Sequence, residues 1–167
     1  WIYQTSNTDV WLGSIYFANS TTGYAVGWEG TIIKTTNGGT SWETQTSNTS
    51  KILYSVFFTS ASTGCAVGEG GTILRTSNGG IDWTPQPSGT LNDLFSIYFT
   101  DTDTGYVCGH YGTILKTVHG GINWSLQTNS YTEWLASVFF INPGTGYAVG
   151  PYGGTVKTVN GGEDWIT

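Results

Sequence analysis

Four short turns in the sequence combine aromatic, acidic and histidine side chains with a constant glycine frame. They read G-W-E-G at 27–30, G-E-G-G at 68–71, G-H-Y-G at 109–112 and G-P-Y-G at 150–153. The variable residues within these frames are Trp28, Glu29, Glu69, His110, Tyr111, Pro151 and Tyr152. Aromatic and acidic groups of this kind suit stacking on a sugar, or contact with a protein or a peptide that carries basic groups.

A second set of aromatic and acidic residues precedes three of these turns. It comprises Trp11, Asp93, Tyr131, Glu133 and Trp134. We predict that both sets lie on one face and bind a ligand there. Large exposed aromatic patches on a soluble protein usually mark a binding site. The predicted ligand-binding residues are Trp11, Trp28, Glu29, Glu69, His110, Tyr111, Trp134 and Tyr152. In the alternative interpretation they are ordinary turn residues that pack on the glycine frames.

Catalytic chemistry has little support in the same residues. A glycosidase needs two carboxylates about 5 to 10 Å apart, and Glu29 and Glu69 in adjacent turns are the pair that could supply them. No nucleophile turn of the form G-x-S-x-G is present, and Cys65 and Cys108 lack metal-ligand spacing. We therefore predict a non-enzymatic protein with no catalytic residue, metal site or cofactor, in which both cysteines are buried free thiols.

The turns belong to a unit that is repeated every 41 residues. One tryptophan position recurs at this interval as Trp1, Trp42, Trp83, Trp124 and Trp165. In the same phase stand L-x-S-I/V-Y/F-F segments, the first at 12–17, and T-G-Y-A-V-G-like segments, the first at 22–27. The alignment of several blocks over four copies shows internal repetition, which decides the architecture.

Within each repeat the apolar segments read as four short strands. In the first repeat, SIYF, GYAVG and TIIKT are rich in β-branched and aromatic residues and are bounded by turn residues. Four strands in about 40 residues are typical of a β-propeller blade, whose two apolar faces are covered when blades stack around an axis. The predicted fold is a single all-β propeller domain with blades at about 12–46, 53–87, 94–128 and 135–167.

The turn that ends at each repeated tryptophan resembles the Asp-box, the S/T-x-D-x-G-x-T-W hairpin of sialidases and related propellers. It reads T-T-N-G-G-T-S-W at 35–42, and later copies depart from the motif at His119 and Asp82. We assign these residues a structural role, because turn side chains satisfy the backbone groups of their own hairpin. They are Asn37, Trp42, Asn78, Trp83, His119, Trp124, Asn160 and Trp165.

The complete repeat resembles the photosystem II stability and assembly factor family of propellers, whose units also occur in many secreted bacterial proteins. The shared pattern is W-x-x-Q-x-S, L-x-S-I/V-Y/F-F, T-G-Y-A-V-G, G-T-I-x-K-T and N-G-G-x-x-W, and it covers all 167 residues. The resemblance implies the propeller fold and, in that family, an arginine-rich patch. Propellers host unrelated activities, so the resemblance is specific for the fold and weak for the function.

The basic residues of this chain are few, and all except Lys51 share one phase of the repeat. Arg75 is the single arginine, and Lys34, Lys116 and Lys157 occupy its position in the other copies. A ring of positive charge could bind an acidic peptide. We favour the interpretation in which each head group caps carbonyls of a neighbouring blade or pairs with a carboxylate.

The overall charge excludes some partners. Five basic and 11 acidic residues give a net charge of -6, which argues against nucleic acid, because phosphate binding requires clustered Lys and Arg. No run of eighteen or more apolar residues is present, so no membrane span is predicted. The low charge and the abundance of Ser, Thr and Asn suit an extracellular or periplasmic bacterial protein.

Residues 1–7 are in phase with a fourth strand, and the last repeat lacks most of its own. We predict that they complete the final blade and hide its edge. This strand could close a four-bladed ring, complete the last blade of another copy, or leave further blades outside these 167 residues. The predicted function is an interaction module for a protein or a glycan. The alternatives are a self-assembling structural subunit that exchanges its first strand and, with least support, a glycosidase.

Overall fold

The regular secondary structure of the protein is almost entirely β-strand. The computed structural model describes residues 4–167, and there the strands form four antiparallel sheets, each from consecutive segments of the chain. We call these sheets blades 1 to 4. The helical elements are single turns of 3-10 helix, and none in the described range is long and apolar enough to cross a membrane. The predicted all-β class is confirmed.

The strand bounds repeat closely from blade to blade. Blade 1 contains β1 (Leu12–Phe17), β2 (Gly23–Gly27), β3 (Ile32–Thr35) and β4 (Glu43–Gln45). Blade 2 contains β5 (Leu53–Phe58), β6 (Gly64–Gly68), β7 (Ile73–Thr76) and β8 (Thr84–Pro85). Blade 3 contains β9 (Leu94–Phe99), β10 (Gly105–Gly109), β11 (Ile114–Thr117) and β12 (Ser125–Leu126). Blade 4 contains β13 (Ser137–Asn142), β14 (Thr145–Val149) and β15 (Thr155–Thr158).

Blade 4 differs from the predicted four strands. An isolated bridge between Lys157 and Ile166 stands where the other blades have a fourth strand. Of the predicted closing strand, residues 1–3 lie outside the described range, and residues 4–7 form no strand. The side-chain amide of Asn7 donates to the carbonyl of Trp42 in blade 1 (3.0 Å). The described part of this segment therefore contacts the first blade, and its role as a closing strand stays a prediction.

A steric requirement explains why the second strand begins with glycine in blades 1 to 3. In the antiparallel register Phe58 of β5 pairs with Gly64 of β6. A Cβ atom on this glycine would lie 2.6 Å from the phenylalanine ring, which is shorter than van der Waals contact. The same pairing joins Phe17 to Gly23 in blade 1. The repeated T-G segment therefore allows an aromatic ring of the first strand to lie across the second strand.

The blades stack face to face, and their apolar side chains alternate between the two faces. Tyr24, Val26 and Ile32 of blade 1 pack with Val56 and Phe58 of blade 2. Equivalent clusters join blade 2 to blade 3 and blade 3 to blade 4. The first strands of successive blades also contact one another, as expected for strands that lie close to a common axis. The stacking buries both faces of each interior blade, which stabilises the fold through the hydrophobic effect.

Candidate functional site

The short turns and the links between blades lie at the same end of the molecule. Each turn connects the second and third strands as one turn of 3-10 helix. The backbone N–H of Trp28 donates to the carbonyl of Trp11 (3.0 Å), and that of His110 donates to the carbonyl of Asp93 (2.9 Å). Together with the bond from the Glu69 N–H to the Ile52 carbonyl (2.8 Å), they hold the turns of blades 1 to 3 against the links that enter those blades. We call this end the turn face; it carries the turns Trp28–Gly30, Glu69–Gly71, His110–Gly112 and Pro151–Gly153.

The middle residue of each turn has a left-handed backbone. The φ angle is 55° at Glu29, 54° at Tyr111 and 56° at Tyr152, while Gly70 fills this position in blade 2 with 62°. A bulky residue seldom adopts this conformation, which costs about 1–3 kcal/mol. Tyr111 is 75% exposed and Tyr152 is 94% exposed. The two rings therefore do not pack on the glycine frames, and burial does not offset the strain.

The structure brings several of the predicted site residues into two groups. On blade 1 the exposed rings of Trp11 and Trp28 lie 6.0 Å apart. On blade 3 the rings of His110 and Tyr111 lie 5.6 Å apart. Two other predicted site residues, Glu29 and Tyr152, are exposed. No hydrogen bond, ion pair or aromatic pair within residues 4–167 joins them to either group.

Aromatic residues from neighbouring blades meet around Phe95, which itself contacts the histidine. The ring of Phe95 lies 4.6 Å from that of His110, 5.7 Å from that of Trp134 and 5.2 Å from that of Tyr54. All three contacts are edge-to-face, a favourable arrangement for aromatic rings. Asp93 faces the histidine with its Oδ2 3.5 Å from Nδ1. We call Tyr54, Phe95, Asp93, His110 and Trp134 the His110 cluster.

Two members of this cluster, Tyr54 and Phe95, were missed by the sequence analysis. In β5 the register shifts between Leu53 and Ser55, which leaves Tyr54 without a partner in β6, and β9 has the same shift around Phe95. A β-bulge re-aims the side chain of the unpaired residue, and here both rings reach the turn face. The position varies between copies, which is the signal that could have found it. It holds Gly13, Tyr54, Phe95 and Ala136.

The His110 cluster is acidic as well as aromatic. The Asp93 carboxylate accepts a hydrogen bond from the backbone N–H of Gly70 (2.8 Å), which fixes it beside the histidine. Glu69 pairs with Lys51 nearby (3.4 Å). Burial raises the pKa of the Tyr54 hydroxyl, and the negative charges of Asp93 and Glu69 raise it further. This surface favours a cationic or neutral ligand group over an anion.

A groove of about 330 Å³ adjoins the cluster. It is lined by Asn92, Tyr111, Leu126, Asn129 and Tyr131, among others. Tyr111 lines this groove and directly follows His110 in the turn. The His110 cluster and the groove therefore meet at this turn. The corresponding groove beside blade 2 is lined by Ser47, Gly71 and Pro85 and by no aromatic residue. Of these two grooves, the one beside blade 3 is the one lined by aromatic residues.

The Asp-box turns lie at the opposite end of the blades and bond to themselves. In blade 1 the Thr35 hydroxyl accepts the backbone N–H of Gly39 (2.9 Å) and donates to Oδ1 of Asn37 (2.9 Å). The same Oδ1 accepts the backbone N–H of Ser41 (2.9 Å). Blades 2 and 4 repeat this set of bonds. These contacts support the structural role predicted for the Asp-box asparagines.

The histidine of the third Asp-box is held in the same way. The backbone N–H of His119 donates to the Thr117 hydroxyl (3.2 Å), and its Nδ1 lies 2.9 Å from Oδ1 of Asn123. His110 and His119 stand at opposite ends of β11. They therefore belong to different surfaces and do not act on one ligand.

The basic side chains cap carbonyl groups of the next blade. Lys34 Nζ donates to the Gly79 carbonyl (2.7 Å), and Lys116 Nζ donates to the Gly161 carbonyl (2.6 Å). Arg75 makes the equivalent contact with blade 3 through its Nε (2.8 Å). The predicted capping interpretation is confirmed for these three residues. They are part of the blade interfaces and do not form a binding ring.

Reactive thiols do not contribute to the turn face. Cys65 and Cys108 are buried and free, as predicted. Burial raises the pKa of the Cys65 thiol to about 12 despite the neighbouring Arg75, and it also raises the pKa of Cys108. Both are therefore unreactive at neutral pH. Within residues 4–167 no three His, Cys, Asp or Glu side chains come together in a group that could hold a metal ion.

Comparison with known proteins assigns these repeats to a family. A family model described as photosynthesis system II assembly factor YCF48 matches residues 1–84 and residues 42–125. A comparison with curated protein sequences gave no match. Among solved structures, YCF48 bound to D1 peptide is 24% identical with a TM-score of 0.79, over 98% of this chain and 54% of that chain. YCF48 from Cyanidioschyzon merolae is 22% identical with a TM-score of 0.76, over 95% of this chain and 56% of that chain.

Enzymes share the fold as well. An ancestral GH74 enzyme has a TM-score of 0.80 at 19% identity, over 97% of this chain and 25% of that chain. At such identities the likeness shows the fold alone, and it confirms the β-propeller. The chain spans about half the length of the YCF48 structures that it matches. Because the family model matches well over half of the residues, this chain belongs to the YCF48 family of photosynthesis system II assembly factors.

Proposed function

We propose that the chain is a non-enzymatic module that binds a peptide segment of a partner protein at the His110 cluster and the adjoining groove. The observation that carries this proposal is the exposed Tyr111 ring, which a strained left-handed backbone holds between the two features. Strain of this kind is found most often where it serves a function. A protein partner is also supported by the family, since one YCF48 structure contains a bound D1 peptide.

The chemistry of the site indicates what such a peptide would carry. The groove can hold an extended segment beside Tyr111. The rings of Phe95 and Trp134 can receive a lysine or arginine side chain through cation–π contacts, and the Asp93 carboxylate adds electrostatic attraction. We therefore expect the preferred peptides to contain a basic residue, and acidic peptides to bind weakly.

A glycan is the second candidate ligand. The exposed Trp11 and Trp28 rings on blade 1 favour it, because aromatic rings also stack on sugars. Hydrolysis of that glycan has no comparable support. Glu69 is engaged by Lys51 and by the backbone N–H of Ile52, and Glu29 is exposed. We expect that the wild type does not hydrolyse a bound glycan, and that Glu29→Gln and Glu69→Gln behave in the same way.

Parallel binding screens on a synthetic peptide array and a glycan array test the proposal. The peptide array varies the position and number of Lys, Arg, Asp and Glu. We expect binding to basic peptides and a loss of at least about tenfold in affinity, or about 1.4 kcal/mol, in Tyr111→Gly. This variant keeps the backbone conformation, because Gly70 already occupies the position in blade 2.

The matched control is Asn48→Gly. Asn48 is an exposed link residue with the same left-handed backbone (φ 57°), and it lies outside the His110 cluster and its groove. This variant should bind peptides as the wild type does. Peptide affinity that is unchanged in Tyr111→Gly, or binding confined to the glycan array, contradicts the peptide assignment.

A further inference from the structure

Three of the four Asp-box turns contain an asparagine that is directly followed by glycine. The pairs are Asn37–Gly38, Asn78–Gly79 and Asn160–Gly161. An asparagine in this position is chemically labile, because the backbone nitrogen of the next residue can attack the side-chain amide carbon. Glycine has no side chain to hinder the close approach. Each pair is therefore a candidate site of deamidation.

Deamidation replaces the amide nitrogen of asparagine with oxygen through a cyclic imide. The glycine nitrogen bonds to the amide carbon, and its proton passes by way of solvent to the side-chain nitrogen, which leaves as ammonia. Water then adds to one carbonyl carbon of the imide and breaks the bond from that carbon to nitrogen. Addition at the former side-chain carbon gives aspartate, and addition at the backbone carbon gives isoaspartate, whose main chain contains an additional methylene.

The folded turn of blade 2 holds both reacting groups of its pair. The backbone N–H of Gly79, which is the attacking nitrogen, donates to the Ser62 carbonyl (2.8 Å). The side-chain carbonyl of Asn78 accepts the Thr76 hydroxyl and the backbone N–H of Asp82 (both 3.0 Å). Its amide nitrogen donates to Oδ2 of Asp82 (2.8 Å). The Gly79 nitrogen therefore reaches the Asn78 amide carbon only after the turn has opened.

Contacts with the neighbouring blade add to this protection. The Gly79 carbonyl accepts the Tyr24 hydroxyl (2.9 Å) and Lys34 Nζ (2.7 Å) of blade 1. Gly79 and the next residue, Gly80, are buried, although Asn78 is exposed. Opening of the turn thus disturbs the interface between blades 1 and 2. Exposure of Asn78 to solvent does not by itself permit the reaction.

The partner of the asparagine amide distinguishes the blades. In blades 2 and 4 the amide nitrogen donates to a carboxylate, that of Asp82 (2.8 Å) or Asp164 (2.9 Å). In blade 1 it donates to the Ser41 hydroxyl (2.9 Å). A hydroxyl can reverse its role and donate to an oxygen, whereas an ionised carboxylate can only accept. An aspartate product therefore fits the turn of blade 1 and is opposed in blades 2 and 4.

Blade 3 has a turn of the same form that cannot react in this way. His119 takes the place of the asparagine, and its Nδ1 lies 2.9 Å from Oδ1 of Asn123. The Thr117 hydroxyl still accepts the backbone N–H of Gly121 (3.1 Å), as the equivalent threonines do in the other blades. The turn therefore forms without a labile asparagine.

We propose that Asn78 and Asn160 are deamidation sites that the folded turns protect, and that their aspartate products weaken those turns. The product has an oxygen in place of the donor nitrogen, so two carboxylates meet where a hydrogen bond now joins an amide to a carboxylate. Like charges at such a separation repel each other. Asn37 forms the same product without this repulsion. Because the conversion runs in one direction, each opened turn that reacts leaves a permanent change in the chain.

Peptide mapping by mass spectrometry tests the protection. Native protein and protein unfolded in guanidinium chloride are incubated at neutral pH, and the deamidated fraction is followed at each Asn–Gly pair. Deamidation of Asn78 and Asn160 should be at least about tenfold slower in the native chain, because the reaction there depends on the fraction of molecules with an open turn. Equal rates in the native and unfolded chains overturn the protection.

The Thr76 hydroxyl offers a local test in the native protein. Thr76→Val removes the group that bonds to the Asn78 side chain and to the backbone N–H of Gly80. Deamidation of Asn78 should become at least about threefold faster, while that of Asn160 in the same molecule is unchanged. Circular dichroism shows that the variant is folded. An unchanged rate at Asn78, or an equal acceleration at Asn160, contradicts protection by the turn.

Variants that carry the product test its effect on the turn. At neutral pH, Asn78→Asp should lower the melting temperature by about 2–4 °C. Asn37→Asp is the matched control and should lower it by less than about 1 °C. In an Asp82→Ser background, which recreates the blade 1 pairing, Asn78→Asp should leave the melting temperature unchanged. Equal losses in blades 1 and 2, or a loss that persists with Asp82→Ser, overturn the assignment to the carboxylate pair.

Discussion

The two ends of each blade use the same repeat in opposite ways. At the Asp-box end the side chains are nearly constant, and they bond to the backbone of their own turn, as Thr35 and Asn37 do. At the turn face the backbone is constant, and its side chains differ from blade to blade. The side chains that repeat at the Asp-box end therefore maintain the framework. At the turn face the backbone repeats, and the side chains that it carries vary between blades and are free to contact a ligand.

The largest effect expected from this difference is on stability. Trp83 is buried against Phe58 at the Asp-box end, and its indole N–H has no hydrogen-bond partner among the described residues. Trp83→Ala should therefore lose packing and destabilise the protein by about 3–5 kcal/mol. Trp28→Ala, which removes an exposed ring of the turn face, should cost less than about 1 kcal/mol. Urea unfolding measures both, and similar losses would remove the distinction between the ends.

A smaller effect of the opposite sign is expected at the turn face. Tyr152→Gly removes an exposed ring from a left-handed position, so the relieved strain should stabilise the protein by about 1 kcal/mol after the entropic cost of glycine. Asn48→Gly should stabilise it less, because asparagine tolerates this conformation better than tyrosine. Thermal unfolding measures the gain. A loss of stability in Tyr152→Gly would show that its ring supports the fold.

The smallest effect concerns one ionisable residue near the Asp-box end. The Asp101 carboxylate accepts the backbone N–H groups of Asp103 and Thr104 (2.8 and 2.7 Å). Burial alone would raise the pKa of Asp101, but these hydrogen bonds lower it overall. Since the pKa is lower in the folded state, this stabilisation is present at neutral pH and is lost as the pH falls through the folded-state pKa.

Asp101→Asn should remove that pH dependence and change stability at neutral pH by no more than about 0.5 kcal/mol. Asn19 and Asn142 make the equivalent backbone contacts in blades 1 and 4, so asparagine fits this turn. Urea unfolding of wild type and variant at acidic and neutral pH provides the measurement. An equal loss of stability in both proteins on acidification would assign the pH dependence to other carboxylates.

Much of the turn face could be predicted because the repeat itself separates constant positions from variable ones. Trp11, Trp28 and His110 lie where the repeat places them, at the links and turns. Tyr54 and Phe95 were missed because each stands within an apolar strand pattern, where a side chain is expected to alternate between the two faces of the sheet. The bulge that re-aims them depends on hydrogen bonding with the neighbouring strand.

The sequence by itself determined the repeating unit, its strands and the family, because a period of 41 residues with fixed apolar blocks permits one local structure in every copy. It could not show which copies of the unit would keep an open face. Ile15 and Val56 occupy the same position of the repeat, and they differ in burial because the described structure stacks a blade on one and none on the other. Only the tertiary structure decides this, since burial is a property of neighbours in space and not of the residue alone.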